Sequence, residues 1–257
     1  MKLKAAFFDV DGTLLSHRSG SVPKDTREAL EMLRAKGVLV FTSTGRHILE
    51  LSDLPVRDLK FDGYVLLNGQ LCLDGDRKAL SGYEIDPADI RQILPLFEQR
   101  ELPIAFVEKE RIYINFIDER VRRAQSAISS QLPKIDRYRG SEVYLVNVFA
   151  KEKEVSQVMR RMPHCKMTWW SDFGTDIIAK EGGKVVGMQQ ILSRYGIAPE
   201  EIIAFGDGEN DMEMLKFAGT GVAMGNAEPF VKACADYVTD DVDAGGISNA
   251  LRHFGIQ

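Results

Sequence analysis

The sequence predicts an α/β fold in which parallel-sheet βα units are interrupted by an inserted α+β segment. Three observations carry this. Short apolar runs without alternation end abruptly in polar clusters, the pattern of strands buried on both faces with chemistry at their carboxyl tips. Helical segments alternate with those runs at both ends of the chain. Between about 82 and 182 the order becomes helix, two strands, helix, then strand, helix, two strands, which suits an antiparallel α+β sheet. At 257 residues the chain suits one large domain or two modest ones, and 44% hydrophobic residues can build a sizeable core.

Taken in order, Ala5 to Phe8 is the first strand and runs into Asp9-Val10-Asp11-Gly12-Thr13. A polar loop at 16–23 precedes a helix at 24–36. Thr26, Ala29, Leu30 and Leu33 share one face of it, and Gly37 stands where a C-terminal cap belongs. The next strand, 38–41, ends in Thr42-Ser43-Thr44-Gly45-Arg46, and a right-handed crossover sets it beside the first. A second helix is expected at 47–54 and a third strand at 64–67. Asn68-Gly69 then reads as a tight turn into a returning arm at 70–73.

Within the insert, Asp86 is expected to cap, and Pro87 to open, a helix reaching about 100. Runs 104–107 and 112–116 read as a hairpin, 118–131 as a helix, 143–150 as a strand and 151–161 as a helix. Runs 167–171 and 175–179 form a last hairpin. The βα order resumes at Gly182-Gly183-Lys184. Helices are expected at 184–195, 211–218, 228–235 and 246–254, with strands at 201–205, 221–223 and 237–238. The 201–205 strand ends in Gly206-Asp207-Gly208-Glu209-Asn210-Asp211.

The formal net charge is -5 and no long basic run is present, so nucleic acid is not an expected partner. Cys72, Cys165 and Cys234 are far apart, odd in number and in no Cys-x-x-Cys pair, which suits free thiols in a reducing compartment. No apolar stretch reads as a signal or a membrane span, so the expectation is a soluble cytoplasmic protein with no membrane partner, a monomer or weak homo-oligomer.

Four polar clusters sit at strand tips or a helix start: Asp9/Asp11, Thr44, Lys184 and Asp207/Asn210/Asp211. Singly, each has a plain alternative: an Asp/Gly turn, a strand-to-helix turn, a surface lysine, a helix cap or a partial calcium-loop look-alike. Together they compose a phosphoryl-transfer site. A divalent cation between carboxylates and a phosphate dianion removes their repulsion. Asp9 can then attack phosphorus, and Asp11 can protonate the leaving alkoxide and later deprotonate water. The Thr44 hydroxyl and Lys184 ammonium can hold phosphoryl oxygens, while Asp207, Asn210 and Asp211 offer oxygens to Mg²⁺. Arg46 can either reach substrate or pair with a core carboxylate. Trp169-Trp170 offers a sugar platform or core packing, and alternation allows at most one of the two on any one face. The four histidines show no metal-ligand spacing.

Phe7-Phe8-Asp9-Val10-Asp11-Gly12-Thr13, Thr44-Gly45-Arg46, Gly183-Lys184 and Gly206-Asp207-Gly208-Glu209-Asn210-Asp211 resemble the four motifs of haloacid dehalogenase (HAD) superfamily phosphatases. Their order, and Asn68-Gly69, resemble the Cof-type subclass (HAD IIB). The resemblance implies a Rossmann-like core at 1–81 and 183–257, with an α/β cap at 82–182 that selects the leaving group. It implies Asp9 as nucleophile and Asp11 as acid/base, with the Asp11 main-chain carbonyl on Mg²⁺. Thr44 and Lys184 match the phosphate-binding pair, Asp207 the metal carboxylate, and Asn210 and Asp211 positions that support metal or Lys184. Gly12, Gly45, Arg46, Asn68 and Asn210 complete the residues expected around substrate. The implied activity is Mg²⁺-dependent hydrolysis of small phosphorylated metabolites, hexose phosphates foremost, through an aspartyl-phosphate. A phosphotransferase or phosphomutase on the same scaffold stays open. So does a non-catalytic phosphometabolite-binding regulator, although intact Asp9 and Asp11 speak against the latter.

Overall fold

The computed structural model describes residues 3–128 and 130–256. The chain divides into two compact units, residues 1–81 with 184–257, and residues 82–183.

The first unit begins β1 (Ala5–Phe8), α1 (Lys24–Ala35), β2 (Leu39–Ser43), α2 (Ile48–Leu51), β3 (Gly63–Leu66), β4 (Leu71–Asp74) and β5 (Ala79–Gly82). The second contains α3 (Pro87–Glu98), β6 (Ile104–Val107), β7 (Ile112–Ile114), α4 (Glu119–Ala127), β8 (Lys134–Ile135), β9 (Leu145–Phe149), α5 (Glu152–Met159), β10 (Cys165–Ser171) and β11 (Gly174–Ala179). The first then resumes with α6 (Lys184–Tyr195), β12 (Ile202–Gly206), α7 (Met212–Phe217), β13 (Thr220–Ala223), α8 (Pro229–Lys232), β14 (Tyr237–Val238) and α9 (Gly246–His253).

In the first unit the strand order is β14-β13-β12-β1-β2-β3-β4-β5. From β14 to β3 every pairing is parallel, and β3–β4 is antiparallel. β1 therefore lies between β2, which follows it by one crossover, and β12, which arrives from the far part of the chain. That is the topological switch point of a doubly wound sheet, where a crevice opens beyond the strand ends. All four β1 residues are fully buried. The period-2 geometry sends Phe7 to stack on Phe41 (4.8 Å) and Phe8 to stack on Phe205 (4.9 Å). Phe7 and Phe41 join Met188, Ile191 and Leu192 of α6 in one apolar cluster. The six-stranded sheet of the second unit runs β10-β11-β9-β6-β7-β8 and has its own core, including Phe97, Phe106, Tyr113, Val146 and Ile177. Trp169 packs on that core and Trp170 on a separate cluster with Ala105, Val121 and Phe149, so the two rings use different clusters.

Several elements differ from the sequence expectation. The helix expected at 47–54 stops after Leu51, because Leu54 precedes Pro55 and takes an extended conformation before a short 3₁₀ turn. Asn68-Gly69 is not a two-residue hairpin turn. Leu66 pairs with Leu71, so four residues connect the strands, and Leu67 and Asn68 both have φ +54°. The Leu67 and Asn68 N–H groups donate to the Arg46 and Thr44 carbonyls, which pins this left-handed pair. The helix expected at 118–131 ends at Ala127, and the one at 228–235 shrinks to Pro229–Lys232. β5 and the two-residue β8 are outside the expectation: β8 is too short to show a period, and β5 is a partly exposed edge strand (Ala-Leu-Ser-Gly) with no apolar run.

Candidate active site

The parallel register aligns the ends of β2, β1 and β12. Phe8 lies opposite Thr42 on one side and Phe205 on the other, so the next residues of each strand emerge together. These are Asp9, Ser43-Thr44 and Gly206-Asp207.

Lys184 closes the group from the first residue of α6. A cation there opposes the helix dipole, and only strong local partners offset that. Its Nζ donates to Asp9 Oδ1 and Asp211 Oδ1, each at 2.6 Å, and to the Ser43 carbonyl at 2.9 Å. Three acceptors match the three ammonium protons, in a side chain that is almost fully buried. Burial alone would pull the Lys184 pKa down; the Asp211 and Asp9 carboxylates outweigh it and raise it.

The carboxylates lean the other way. Burial first, then the charge of Asp211, raises the Asp9 pKa well above the usual range, with Lys184 opposing. Burial and Asp211 likewise push Asp207 up to about 7, against the Thr13 hydrogen bond and Lys184. One oxygen from each of Asp9, Asp207 and Asp211 lies within 4.8 Å of the other two. One ammonium does not balance three carboxylates, and an all-oxygen donor set under mutual repulsion suits a hard divalent cation.

The Asp211 oxygens are already engaged. Oδ1 accepts from Lys184, and Oδ2 accepts from the Asp207 and Gly208 amides at 3.0 and 2.9 Å. Asp211 thus shapes the turn after β12 and anchors Lys184, which leaves Asp9 and Asp207 better placed for a metal. A Cβ at Gly206 would come 2.5 Å from Asp211 Cβ, and a Cβ at Gly12 (φ +78°) would overlap the Asp207 carboxylate. The absence of side chains at these two glycines is what lets the acidic loops close together.

The other expected residues fall into pairs. Arg46 Nε and Nη2 grip Asp11 Oδ2 and Oδ1 at 2.6 and 2.7 Å, with Glu50 at 3.9 Å behind the guanidinium. Of the two roles open to Arg46, substrate contact or pairing with a carboxylate, the structure shows the second: the buried guanidinium holds the part-buried Asp11 in a bidentate pair. The buried Thr44 hydroxyl accepts from the Arg46 amide at 3.2 Å, and Gly45 is the residue this short turn spans. Asn210 Nδ2 donates to Asn68 Oδ1 at 2.8 Å, tying the β12 loop to the left-handed β3–β4 connection.

Two site residues were not singled out from sequence. Thr13 Oγ1 donates to Asp207 Oδ1 at 2.9 Å. Asn226 Nδ2 donates to the Gly12 carbonyl at 2.8 Å and to Asp207 Oδ2 at 3.2 Å. Asn226 follows the tip of β13, the same end of the sheet as the acidic loops. That position in a Gly-Asn turn was the available signal.

The sequence profile of a family described as haloacid dehalogenase-like hydrolase matches residues 6–251. The structure is similar to that of the HAD subclass IIB sugar phosphatase BT4131, with TM-score 0.88 and 37% identity over 99% of this chain and 100% of that one. It is also similar to the HAD phosphatase BT1666 from Bacteroides thetaiotaomicron, with TM-score 0.90 and 30% identity over 100% and 96% of the two chains. In sequence the chain is 29% identical to the 5-amino-6-(5-phospho-D-ribitylamino)uracil phosphatase YitU of Bacillus subtilis (strain 168), covering 96% of this chain and 95% of that protein.

Proposed function

The chain belongs to the haloacid dehalogenase-like hydrolases and is a phosphatase, and from that premise we propose Mg²⁺-dependent hydrolysis of small sugar phosphates through a phosphorylated Asp9. The observation that carries the reading is the cluster of buried Asp9 and Asp211 and half-buried Asp207 beside one buried lysine at the sheet's switch point.

Asp9 is the nucleophile. Lys184 holds its Oδ1, which orients the carboxylate for attack on phosphorus. Asp207 and Asp9, with the Asp11 main-chain carbonyl, would hold Mg²⁺. The cation, when bound, would neutralise the acidic cluster and polarise the phosphoryl group. Asp11 is the acid that protonates the leaving oxygen and the base that later activates water; Arg46 sets the plane of its carboxylate. Lys184 offsets charge on phosphoryl oxygens, and Thr44 supplies a hydroxyl beside them. Asn210 and Asn68 keep the β12 loop in register with that hydroxyl. Asp211 acts through Lys184.

The choice of sugar phosphates rests on likeness to BT4131, which is a sugar phosphatase by name. The inserted unit, 82–182, is assigned the choice of leaving group. A cytoplasmic setting suits Cys72, Cys165 and Cys234, all free thiols. Among the described residues no helix is long and apolar enough to cross a membrane.

The test is phosphate release from a panel of hexose and pentose phosphates, nucleotides and p-nitrophenyl phosphate, with Mg²⁺ and with chelator. Chelator-sensitive release with sugar phosphates ranked first is expected. Release that survives chelation removes the metal from the reading. Transfer to an added sugar without release indicates a phosphotransferase.

A further inference from the structure

Asn226 makes three polar side-chain contacts, two of them to the acidic loops and one to the 239–242 strap. The orientation of its amide is fixed by chemistry. The Gly12 carbonyl and Asp207 Oδ2 are acceptors and must face the NH₂ group, at 2.8 and 3.2 Å. The Val242 N–H is a donor and must face Oδ1, at 3.0 Å.

The backbone around Asn226 is fixed by a rigid support. Ala223, the last residue of β13, lies opposite Gly206, the residue before Asp207. Met224 N–H donates to the Gly206 carbonyl and Gly225 N–H to the Asp240 carbonyl. A Cβ at Gly225 would come 2.5 Å from the Asp241 nitrogen, so the turn lies flat against the 239–242 strap. Three residues beyond the strand, Asn226 is thereby delivered over the Asp207 carboxylate.

The consequence concerns Asp207. Thr13 donates to Oδ1 and Asn226 to Oδ2, so both oxygens are oriented by protein donors. Each keeps a further lone pair for a cation. The same NH₂ group holds the Gly12 carbonyl, which belongs to the loop carrying Asp11. We propose that Asn226 is a positioning residue for the divalent-cation site: it sets the distance between the Asp207 carboxylate and the Asp9–Gly12 loop, and so the cation affinity. This rests on the reading of Asp207 as a metal carboxylate given above. Groups that orient metal ligands typically contribute 10–100-fold in affinity. Asn226 is solvent-exposed, so water replaces part of the loss, which places the effect at the lower end, about tenfold.

The experiment is isothermal titration of Mg²⁺ alone into the purified full chain, with metal-free melting curves for each protein. Asn226→Ala is expected to raise the Mg²⁺ Kd about tenfold. At saturating Mg²⁺ the substrate KM should stay within about twofold, because the lost contacts act through the cation site. The second variant is Val242→Pro, which leaves Asn226 in place but removes the donor that orients it. Proline is tolerated there, since Val242 opens a 3₁₀ turn and Asp241 before it is extended (φ -60°, ψ 153°). It should weaken Mg²⁺ in the same direction by a smaller factor. An unchanged Kd in either variant with native melting overturns the role of Asn226. Wild-type protein that binds no Mg²⁺ overturns the underlying metal reading and this inference with it.

Discussion

Each unit has a carboxylate network with a buried acid at its centre, Glu108 in one and Asp9 in the other, and the two are balanced in opposite ways. In the inserted unit, Arg111 grips Glu108 through Nε and Nη2 at 2.9 and 2.7 Å and reaches Asp136 at 3.1 Å. Tyr113 donates to Glu108 at 2.7 Å, and Arg139 holds Asp136 at 2.9 Å. Two cations meet two anions. Burial works against the Glu108 charge, but the Arg111 and Tyr113 hydrogen bonds prevail and its pKa lies below the usual glutamate value. At the β1–β12 tips one lysine faces three aspartates, and Asp9 and Asp207 are both raised. A compensated network holds a fold together; an under-compensated one in a crevice marks a place built for a charged ligand.

This contrast can be broken by substitution. The largest effect is expected from Asp9→Asn. Phosphate release should fall by about 10³-fold or more, while the melting temperature holds or rises because one of the crowded anions is gone. Loss of folding instead would make Asp9 a structural anion. Lys184→Met leaves Asp9 and Asp211 buried without their cation. It should cost about 3–5 kcal/mol in denaturant unfolding, part of it restored by Mg²⁺. Unchanged stability would mean that the acidic cluster takes up protons instead.

Arg46→Lys keeps the charge but not the two-pronged grip on Asp11. We expect kcat to drop about tenfold with KM nearly constant; a change confined to KM would place Arg46 on substrate. The smallest effect is expected in the balanced network. Glu108→Gln should cost about 1–3 kcal/mol and leave phosphate release from p-nitrophenyl phosphate within twofold. A group whose folded pKa is depressed stabilises above its unfolded pKa. The wild-type margin over this variant should therefore be full at neutral pH and shrink as pH falls through about 4.5, the ordinary glutamate value. A margin that does not change at all as the pH is lowered below 4.5 would assign it to packing.

The carboxylates were legible in the sequence because strand tips announce themselves: an apolar run stops, and Asp9 or Asp207 follows. Lys184 was legible from its place after Gly182-Gly183 at the restart of the βα order. What escaped depends on contacts between distant segments. A carboxylate partner for Arg46 was open from sequence, but that it is Asp11, 35 residues away, was not, and Asn226–Gly12 spans 214; neither contact leaves a local pattern. Asn68-Gly69 misled for a related reason. The dipeptide favours a tight hairpin, but hydrogen bonds from the Leu67 and Asn68 amides to the Arg46 and Thr44 carbonyls select a longer, left-handed connection. Short edge strands such as β8 carry too few residues to show a period.

The chain order of the central sheet bears on how the protein is made. β1 needs β12 on one side, pairing Ala5 with Ile202, and Asp9 needs Lys184, 175 residues downstream. At 5–20 residues per second, on the order of 10–40 s of synthesis separates β1 from β12. Throughout that interval Ala5-Ala6-Phe7-Phe8 presents an open apolar edge, which invites pairing with other nascent chains. The inserted unit is contiguous, with its own core, and can finish folding before the phosphatase machinery exists at all. A chain truncated before residue 202 would carry a complete insert and a central strand paired with β2 but open on its β12 side, and would be a client for chaperones rather than an enzyme.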